Sequence, residues 1–302
     1  MKKRKLHIGF VGLGRVADIH YEALRACGGR AEVTAVCDTR AEAVEERAAA
    51  WNAAGFDSLE AMLAGSQIDA AVVMLPHHVH LPVMKTLLEH RIPVLLEKPI
   101  AVKTDEAEMI SGFAEKADVP VLIGHNGLFP PAYRRFLDIV EQGWIGEPLS
   151  ANANSLQWLD FKPWDFRLKK DQTGGGAWID CAGHLLYRLE GALGPVESLS
   201  GHASGRARPE MEGEDTAMAT VAYESGVVAQ VMVSYGCKLP GYEHDWPHGT
   251  EQKMTLSGSR GILEYVICPD SRLRLFSEVP GVMPEIGGGW LDVAVPEPFE
   301  AS

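Results

Sequence analysis

Three groups of residues in this chain have types and spacings that could do chemistry: Glu97-Lys98-Pro99, Asp180 with His184, and the run Gly12-Leu13-Gly14-Arg15-Val16-Ala17. A lysine at the carboxyl end of a strand could donate a hydrogen bond to a substrate oxygen and stabilise a developing alkoxide. The same lysine could equally be a solvated surface residue paired with Glu97. Asp180 and His184 are four apart, so on a helix they share a face. A carboxylate beside an imidazole is a common proton-transfer pairing, although a capping aspartate followed by a core histidine has the same spacing. The glycine run is the Gly-x-Gly-x-x-Ala form of the dinucleotide fingerprint. Gly12 would make the sharp turn, Gly14 would let a pyrophosphate approach the backbone, and Ala17 would let helix and strand pack closely. The free N–H groups of the first helical turn would then face the anion. A second strand, Glu32 to Cys37, ends in Asp38, which is placed to take the ribose hydroxyls and so favour NAD. Arg40, two residues on, could instead accommodate the extra phosphate of NADP.

Other residues leave more readings open. His77, His78 and His80 follow Pro76 on a loop, but no carboxylate or cysteine lies at ligand spacing, so the loop is expected to line a cleft and no metal is expected. Trp158, Phe161, Trp164 and Phe166 crowd the segment before Gly174-Gly175-Gly176. Their faces could meet sugar rings or pack a loop. Arg167, Lys169 and Lys170 could meet an acidic substrate group or only water.

These residues need elements to hold them. From Ile8 to Gly124 the chain alternates short apolar strands with helices, which predicts a doubly wound parallel sheet, an α/β dinucleotide-binding domain over residues 1–124. The unbroken apolar run Ala70 to Leu75 reads as a strand buried on both faces. Asp57-Ser58 caps a short helix to Gly65, and Thr104-Asp105-Glu106 caps one to Ala117. After Gly124 the texture changes to longer alternating strands, with hairpin signals at Glu224-Ser225-Gly226 and at Ser257 to Gly261. One strong helix, Trp178 to Leu193, interrupts them. Residues 125–302 are therefore expected to form an α+β domain on a mostly antiparallel sheet, and Pro280 to Ser302 to be loop.

Hydrophobic residues make up 46% of the chain and charged residues 23%, the balance of a soluble globular protein. The formal net charge of −13 argues against a nucleic-acid or anionic-membrane partner. Five scattered cysteines, odd in number and without a Cys-x-x-Cys pair, suggest reduced thiols in a cytoplasm. No apolar stretch suits a signal peptide or a membrane span.

Taken together, these residues resemble the glucose–fructose oxidoreductase, inositol dehydrogenase and MocA family over most of the chain. The likeness rests on the glycine run, Asp38, the Pro76 loop with His80, Glu97-Lys98-Pro99, the glycine triplet, Asp180 with His184, and Gly258-Ser259-Arg260-Gly261. It implies an N-terminal Rossmann domain, a C-terminal sheet that forms the contact of a homodimer or homotetramer, and hydride transfer between NAD, or NADP, and a secondary hydroxyl of a sugar, cyclitol or related polyol. It also implies that Lys98, Asp180 and His184 are catalytic. Gly12, Gly14, Arg15, Val16, Ala17, Asp38, Arg40, Pro76, His80, Glu97 and Lys98 would hold the cofactor. Lys98, Asn126, Trp164, Arg167, Asp180 and His184 would meet the substrate. Three departures stand out. His125-Asn126-Gly127-Leu128-Phe129 occupies the place of an Arg-Phe pair, Tyr187 replaces an acidic residue, and the chain ends where many members continue into a further helix and strands. Two rival readings are an NAD-dependent glycoside-cleaving enzyme that oxidises its sugar transiently, and a non-catalytic dinucleotide-binding regulator.

Overall fold

Alternation along β1 (Leu6–Val11) sorts a continuous apolar run onto two faces. Ile8 and Phe10 join one core with Val72 and Met74, while Val11 joins another with Ala71 and Val73. A sheet with apolar cores on both sides must be covered on both sides. The helices do this, in the order α1 (Arg15–Arg25), β2 (Ala31–Cys37), α2 (Ala41–Trp51), β3 (Ala54–Phe56), α3 (Leu59–Gly65), β4 (Ala70–Val73), α4 (His80–Glu89), β5 (Val94–Leu96), α5 (Thr104–Ala117) and β6 (Val121–Ile123). The strands pair in parallel in the order β3-β2-β1-β4-β5-β6, with the reversal of strand order between β1 and β4. This computed structural model describes residues 4–241, 249–268, 270–283 and 289–295. It divides into two units, one up to Gly124 and one from His125.

The predicted elements of the first unit are present, with two differences. The Ala- and Glu-rich run Arg40 to Ala54 reads in sequence as one helix, but α2 ends at Trp51 because Asn52 turns left-handed (φ 52°), and Ala54–Phe56 form the short edge strand β3. Thr104 does not cap α5: Lys103 holds the cap position without a side-chain bond. Ser58 does cap α3, accepting from the Ala61 N–H.

The second unit contains α6 (Pro131–Glu141), β7 (Pro148–Leu156), α7 (Lys170–Thr173), α8 (Gly183–Leu193), β8 (Val196–Ser204), β9 (Thr216–Tyr223), β10 (Val228–Ser234), β11 (Glu251–Gly258), β12 (Gly261–Cys268), β13 (Arg272–Ser277) and β14 (Leu291–Val293). Its sheet runs β14-β13-β12-β11-β7-β10-β9-β8, and among the described residues only β7 and β10 pair in parallel. The inward residues Ala153, Val221, Val231, Met254 and Leu263 pack with Tyr133 and Phe136 of α6 and Leu185 and Leu189 of α8. The predicted hairpins at Gly226, where φ is 85°, and at Ser259-Arg260 both form. β14 corrects the expectation that Pro280 to Ser302 is all loop: Leu291 to Val293 pair with Leu273 to Leu275. Residues 284–288 and 296–302 of that tail lie outside the described residues.

Tyr223 of β9 is fully buried, and its hydroxyl has no hydrogen-bond partner among the described residues. A buried unpaired hydroxyl carries a desolvation penalty that phenylalanine lacks. Tyr223→Phe should therefore raise stability by about 1 kcal/mol, seen as a higher denaturant midpoint with unchanged slope.

Candidate active site

The glycine turn is forced by a close approach. Gly12 has φ +93°, and a β-carbon there would lie 2.4 Å from the Met74 carbonyl oxygen. Its N–H donates to the Cys37 carbonyl at 2.8 Å, so the turn is tied to the end of β2 as well as to the exit of β4. Gly14 is the opposite case: nothing lies within 4 Å of where its β-carbon would be. Ala17 is fully buried, and Arg15 and Val16 stand exposed in the first turn of α1. An open backbone at a helix N-terminus, at the carboxyl edge where the sheet order reverses, is the geometry that receives a pyrophosphate. These residues therefore fit a dinucleotide.

Asp38, at the end of β2, is already engaged. Its carboxylate accepts the Leu13 N–H at 2.8 Å and the Arg40 N–H at 2.9 Å. The Arg40 guanidinium grips both oxygens at 3.0 Å and donates to the Leu13 carbonyl at 3.2 Å. Burial pushes this carboxyl up, but the bonds from Arg40 and Leu13 outweigh it and hold it below the usual carboxylate range. The simple expectation that Asp38 repels a phosphate is thus modified, since Arg40 neutralises much of its charge.

At the end of β5 the Glu97 N–H donates to the Val73 carbonyl at 2.9 Å. The Glu97 carboxylate takes the His20 ring at 2.7 Å and the Lys98 backbone N–H at 3.1 Å. Burial raises the carboxyl, yet His20 and the Lys98 N–H bring it below its ordinary value. Gly124 passes so near that a β-carbon would stand 3.2 Å from that carboxylate. Glu97 therefore fixes the backbone of Lys98. His80, expected at the cofactor, is instead fully buried. Its Nδ1 lies 3.0 Å from the Pro99 carbonyl and its Nε2 3.0 Å from the Leu75 carbonyl, and burial pushes its pKa down. It braces the loops after β4 and β5, the first of them opened by Pro76. Sequence reasoning missed His20, although it sits one turn beyond Ala17 on α1.

In the second unit the glycine triplet is another close approach. A β-carbon on Gly176 would lie 1.9 Å from the Glu214 carbonyl oxygen, and one on Gly213 2.4 Å from the Gly175 carbonyl oxygen. The Glu214 carboxylate then accepts the Trp178 N–H at 2.9 Å. The segment after the triplet corrects the single predicted helix: Trp178–Ala182 is a π-helical turn, and α8 starts at Gly183. Asp180 lies in this wide turn and His184 at the start of α8, so the four-residue spacing does not carry ordinary helical geometry. The Asp180 carboxylate accepts the Tyr235 hydroxyl. The Cys181 thiol donates to the same tyrosine oxygen at 3.3 Å, and the Gln157 amide donates to Cys181 Sγ at 3.3 Å. The His184 ring meets the edge of His125 at 6.0 Å, and His125 lies against Tyr187 at 4.7 Å. Buried Arg188 bonds the Gly127 and His184 carbonyls, both at 3.2 Å.

The expected substrate contacts divide. Arg167 is clamped by Asp165 through bonds of 2.9 and 2.6 Å and lies over Phe161, so its charge is committed within the protein. Trp158 packs against Arg208 and Lys238. Trp164 is 82% exposed, and Asn126 is exposed with its carbonyl accepting the Phe129 N–H. Tyr235 and Glu214 had no sequence signal, because the contacts that give them meaning are long-range.

Residues 6–125 match the model of the oxidoreductase family with an NAD-binding Rossmann fold, and residues 133–264 match the GFO/IDH/MocA C-terminal domain. The chain belongs to the Gfo/Idh/MocA oxidoreductase family. It is 29% identical over 254 residues to the 1,5-anhydro-D-fructose reductase of Ensifer adhaerens, covering 80% of this chain and 73% of that one. It is 30% identical over 150 residues to an inositol 2-dehydrogenase of Corynebacterium glutamicum, covering 48% of this chain and 44% of that one. Among solved structures, the WlbA dehydrogenase of Bordetella pertussis in complex with NADH and UDP-GlcNAcA superposes with a TM-score of 0.80. It shares 26% identity and covers 88% of this chain and 75% of its own. As a member of this family the chain is an NAD-binding oxidoreductase.

The Asp38 clamp carries a pH signature. A carboxyl depressed in the folded state adds stability that is present above its unfolded pKa, roughly 3.9, and is lost as pH falls through the lower folded value. Arg40→Ala removes the guanidinium, whose hydrogen bonds are the largest cause of that depression, and leaves the two backbone N–H bonds. On acidification from neutrality to about pH 3, spanning the ordinary carboxylate range, the unfolding free energy of the native protein should fall more than that of Arg40→Ala. Denaturant titrations at each pH measure the difference.

Proposed function

We propose that this oxidoreductase moves a hydride between NAD and a secondary hydroxyl of a sugar, cyclitol or related polyol. The observation that carries the reading is the carboxylate of Asp180, held against Tyr235 and followed by His184 behind the glycine triplet, in a chain whose other unit holds an open glycine turn for a dinucleotide. The names of the relatives, an anhydrofructose reductase and an inositol dehydrogenase, support the substrate class. When bound, NAD supplies the hydride acceptor. Gly12 and Gly14 make room for the pyrophosphate, and Asp38 with Arg40 meets the adenosine ribose. His184 takes the proton of the substrate hydroxyl as general base. Asp180 orients that imidazole, as a carboxylate partner does for a catalytic histidine. The Lys98 ammonium, whose backbone Glu97 fixes, donates to the oxygen as it gains charge. Arg167, held by Asp165, acts on the protein rather than on a substrate acid.

We further propose a cytoplasmic homo-oligomer joined through the sheet of the second unit. Its outward central residues, Asn152, Met218, Thr220 and Gln230, are exposed and uncharged, which suits contact with a second copy. Among the described residues no helix is long and apolar enough to cross a membrane.

The assignment predicts graded losses. Lys98→Met should lower kcat roughly 100- to 1,000-fold, and His184→Ala roughly 100- to 10,000-fold, with Asp180→Asn smaller than either. All three variants should still bind NAD, read by fluorescence titration, since the glycine turn is untouched, and Lys98→Met should lower kcat by more than it weakens that binding. A base works only when unprotonated, so polyol oxidation should fall at low pH and lose that limb in His184→Ala. Near-native oxidation by His184→Ala with the limb intact would rule out the assigned base. Stoichiometric NADH formation with a polyol separates this activity from transient oxidation during glycoside cleavage, which releases none.

A further inference from the structure

Tyr235 is a buried tyrosine to which the oxidoreductase reading gives no role of its own in the reaction. It lies one residue beyond β10, is 1% exposed, and continues the inward series Val231, Val233. Its backbone is anchored, because its N–H donates to the Asp215 carbonyl at 2.7 Å. Its ring meets Phe161 edge-on at 5.6 Å. The hydroxyl reaches the π-helical turn, donating to Asp180 and accepting from the Cys181 thiol at 3.3 Å. A phenol has a single proton to donate, and here that proton is committed to the Asp180 carboxylate.

We propose that Tyr235 is a positioning residue for the reaction: its hydroxyl fixes the Asp180 carboxylate and weakens its basicity, so that Asp180 orients His184 without taking the proton itself. The proposal rests on the roles given above to Asp180 and His184. The wide π turn gives it a reason. In such a turn a side chain is not directed by regular helical packing, so an external donor has to set its direction. Other charged and titratable groups also face Asp180. Cys181 belongs to the same turn and bonds Tyr235. Arg167 and Asp165 act on it from the segment before α7, but they are locked to each other by two hydrogen bonds. His184 follows on α8. Tyr235 reaches the carboxylate from another element altogether, the end of β10, and so ties the turn to the sheet.

The direction of the effect comes from which form the bond favours. A hydrogen bond to the charged form of a carboxylate favours that form. Without it Asp180 becomes more basic, protonates at higher pH, and holds more negative charge against the His184 imidazolium. Both changes move the acidic limb of the kcat profile for polyol oxidation toward higher pH. Tyr235→Phe should shift that limb upward by about one pH unit and lower kcat at its plateau about 10-fold, the scale of one lost hydrogen bond to a charged group. KM and NAD affinity should change little. In the Asp180→Asn background the same substitution should cost almost nothing further. Incorporating 3-fluorotyrosine at 235 keeps the ring and its packing but makes the hydroxyl a stronger donor, and should move the limb the other way.

Native kcat and an unshifted limb in Tyr235→Phe, with Asp180→Asn impaired, overturn the proposal. So do losses that multiply in the double variant, which would mark Tyr235 as packing alone. An unmoved limb with 3-fluorotyrosine overturns it even where Tyr235→Phe fails to fold. Full activity in Asp180→Asn would instead remove the underlying role of Asp180, and the proposal with it.

Discussion

Several glycines in this protein bring backbone against backbone with no room for a methyl group, and in each unit one such contact organises the candidate site. In the first unit Gly12 turns against the Met74 carbonyl, at the point where the sheet order reverses between β1 and β4. In the second, Gly176 presses on the backbone of Glu214, with Gly213 against Gly175. A β-carbon is the smallest side chain a non-glycine residue can carry, so these contacts admit no substitution without moving a whole segment. What each contact fixes is local. Gly12 sets where the N–H groups of α1 point. Gly176 sets where the π turn begins, and thus where Asp180 lies.

Around both contacts the ionisable groups are mostly answered by partners within the protein. Asp38 has Arg40, Glu97 has His20, Asp165 has Arg167, and Asp180 has Tyr235. Each pairing satisfies a carboxylate that burial would otherwise penalise. The residues the site would use are thereby held by neighbours that would touch no substrate. Glu97 and His80 grip the backbone around Lys98, and Arg188 ties the Gly127 segment to α8.

The sequence is most readable where one short stretch determines the answer. The Gly12 to Ala17 run, the capping Ser58, the buried strand from Ala70 and the hairpin at Gly226 all depend on local geometry, and all form as their residues predict. The π turn at Trp178 to Ala182 is not readable, since its residues suit an ordinary helix and the constraint comes from Glu214, far along the chain. A histidine after a proline suggests a cleft, but the carbonyls of Leu75 and Pro99 that claim His80 are visible only in three dimensions. Arg167 points toward a substrate on residue type alone, and Asp165, two residues before it, takes its charge. Strand β14 is hidden by the Gly- and Pro-rich composition around it.

The parallel pairing of β7 with β10 has a consequence for how the protein matures. β7 and β10 leave the sheet side by side, Leu156 opposite Ser234, so Gln157 and Tyr235 emerge together beside the Asp180 turn. The antiparallel hairpins β9–β10 and β11–β12 close short loops and are the quick steps of assembly. The parallel pair closes a much longer one and has to wait for the intervening chain. A nascent chain with every hairpin formed but β7 and β10 still apart would carry near-native secondary structure and no hydroxyl beside Asp180. The hydroxyl beside Asp180 thus arrives with a long-range strand pairing, after the hairpins of the sheet are already in place.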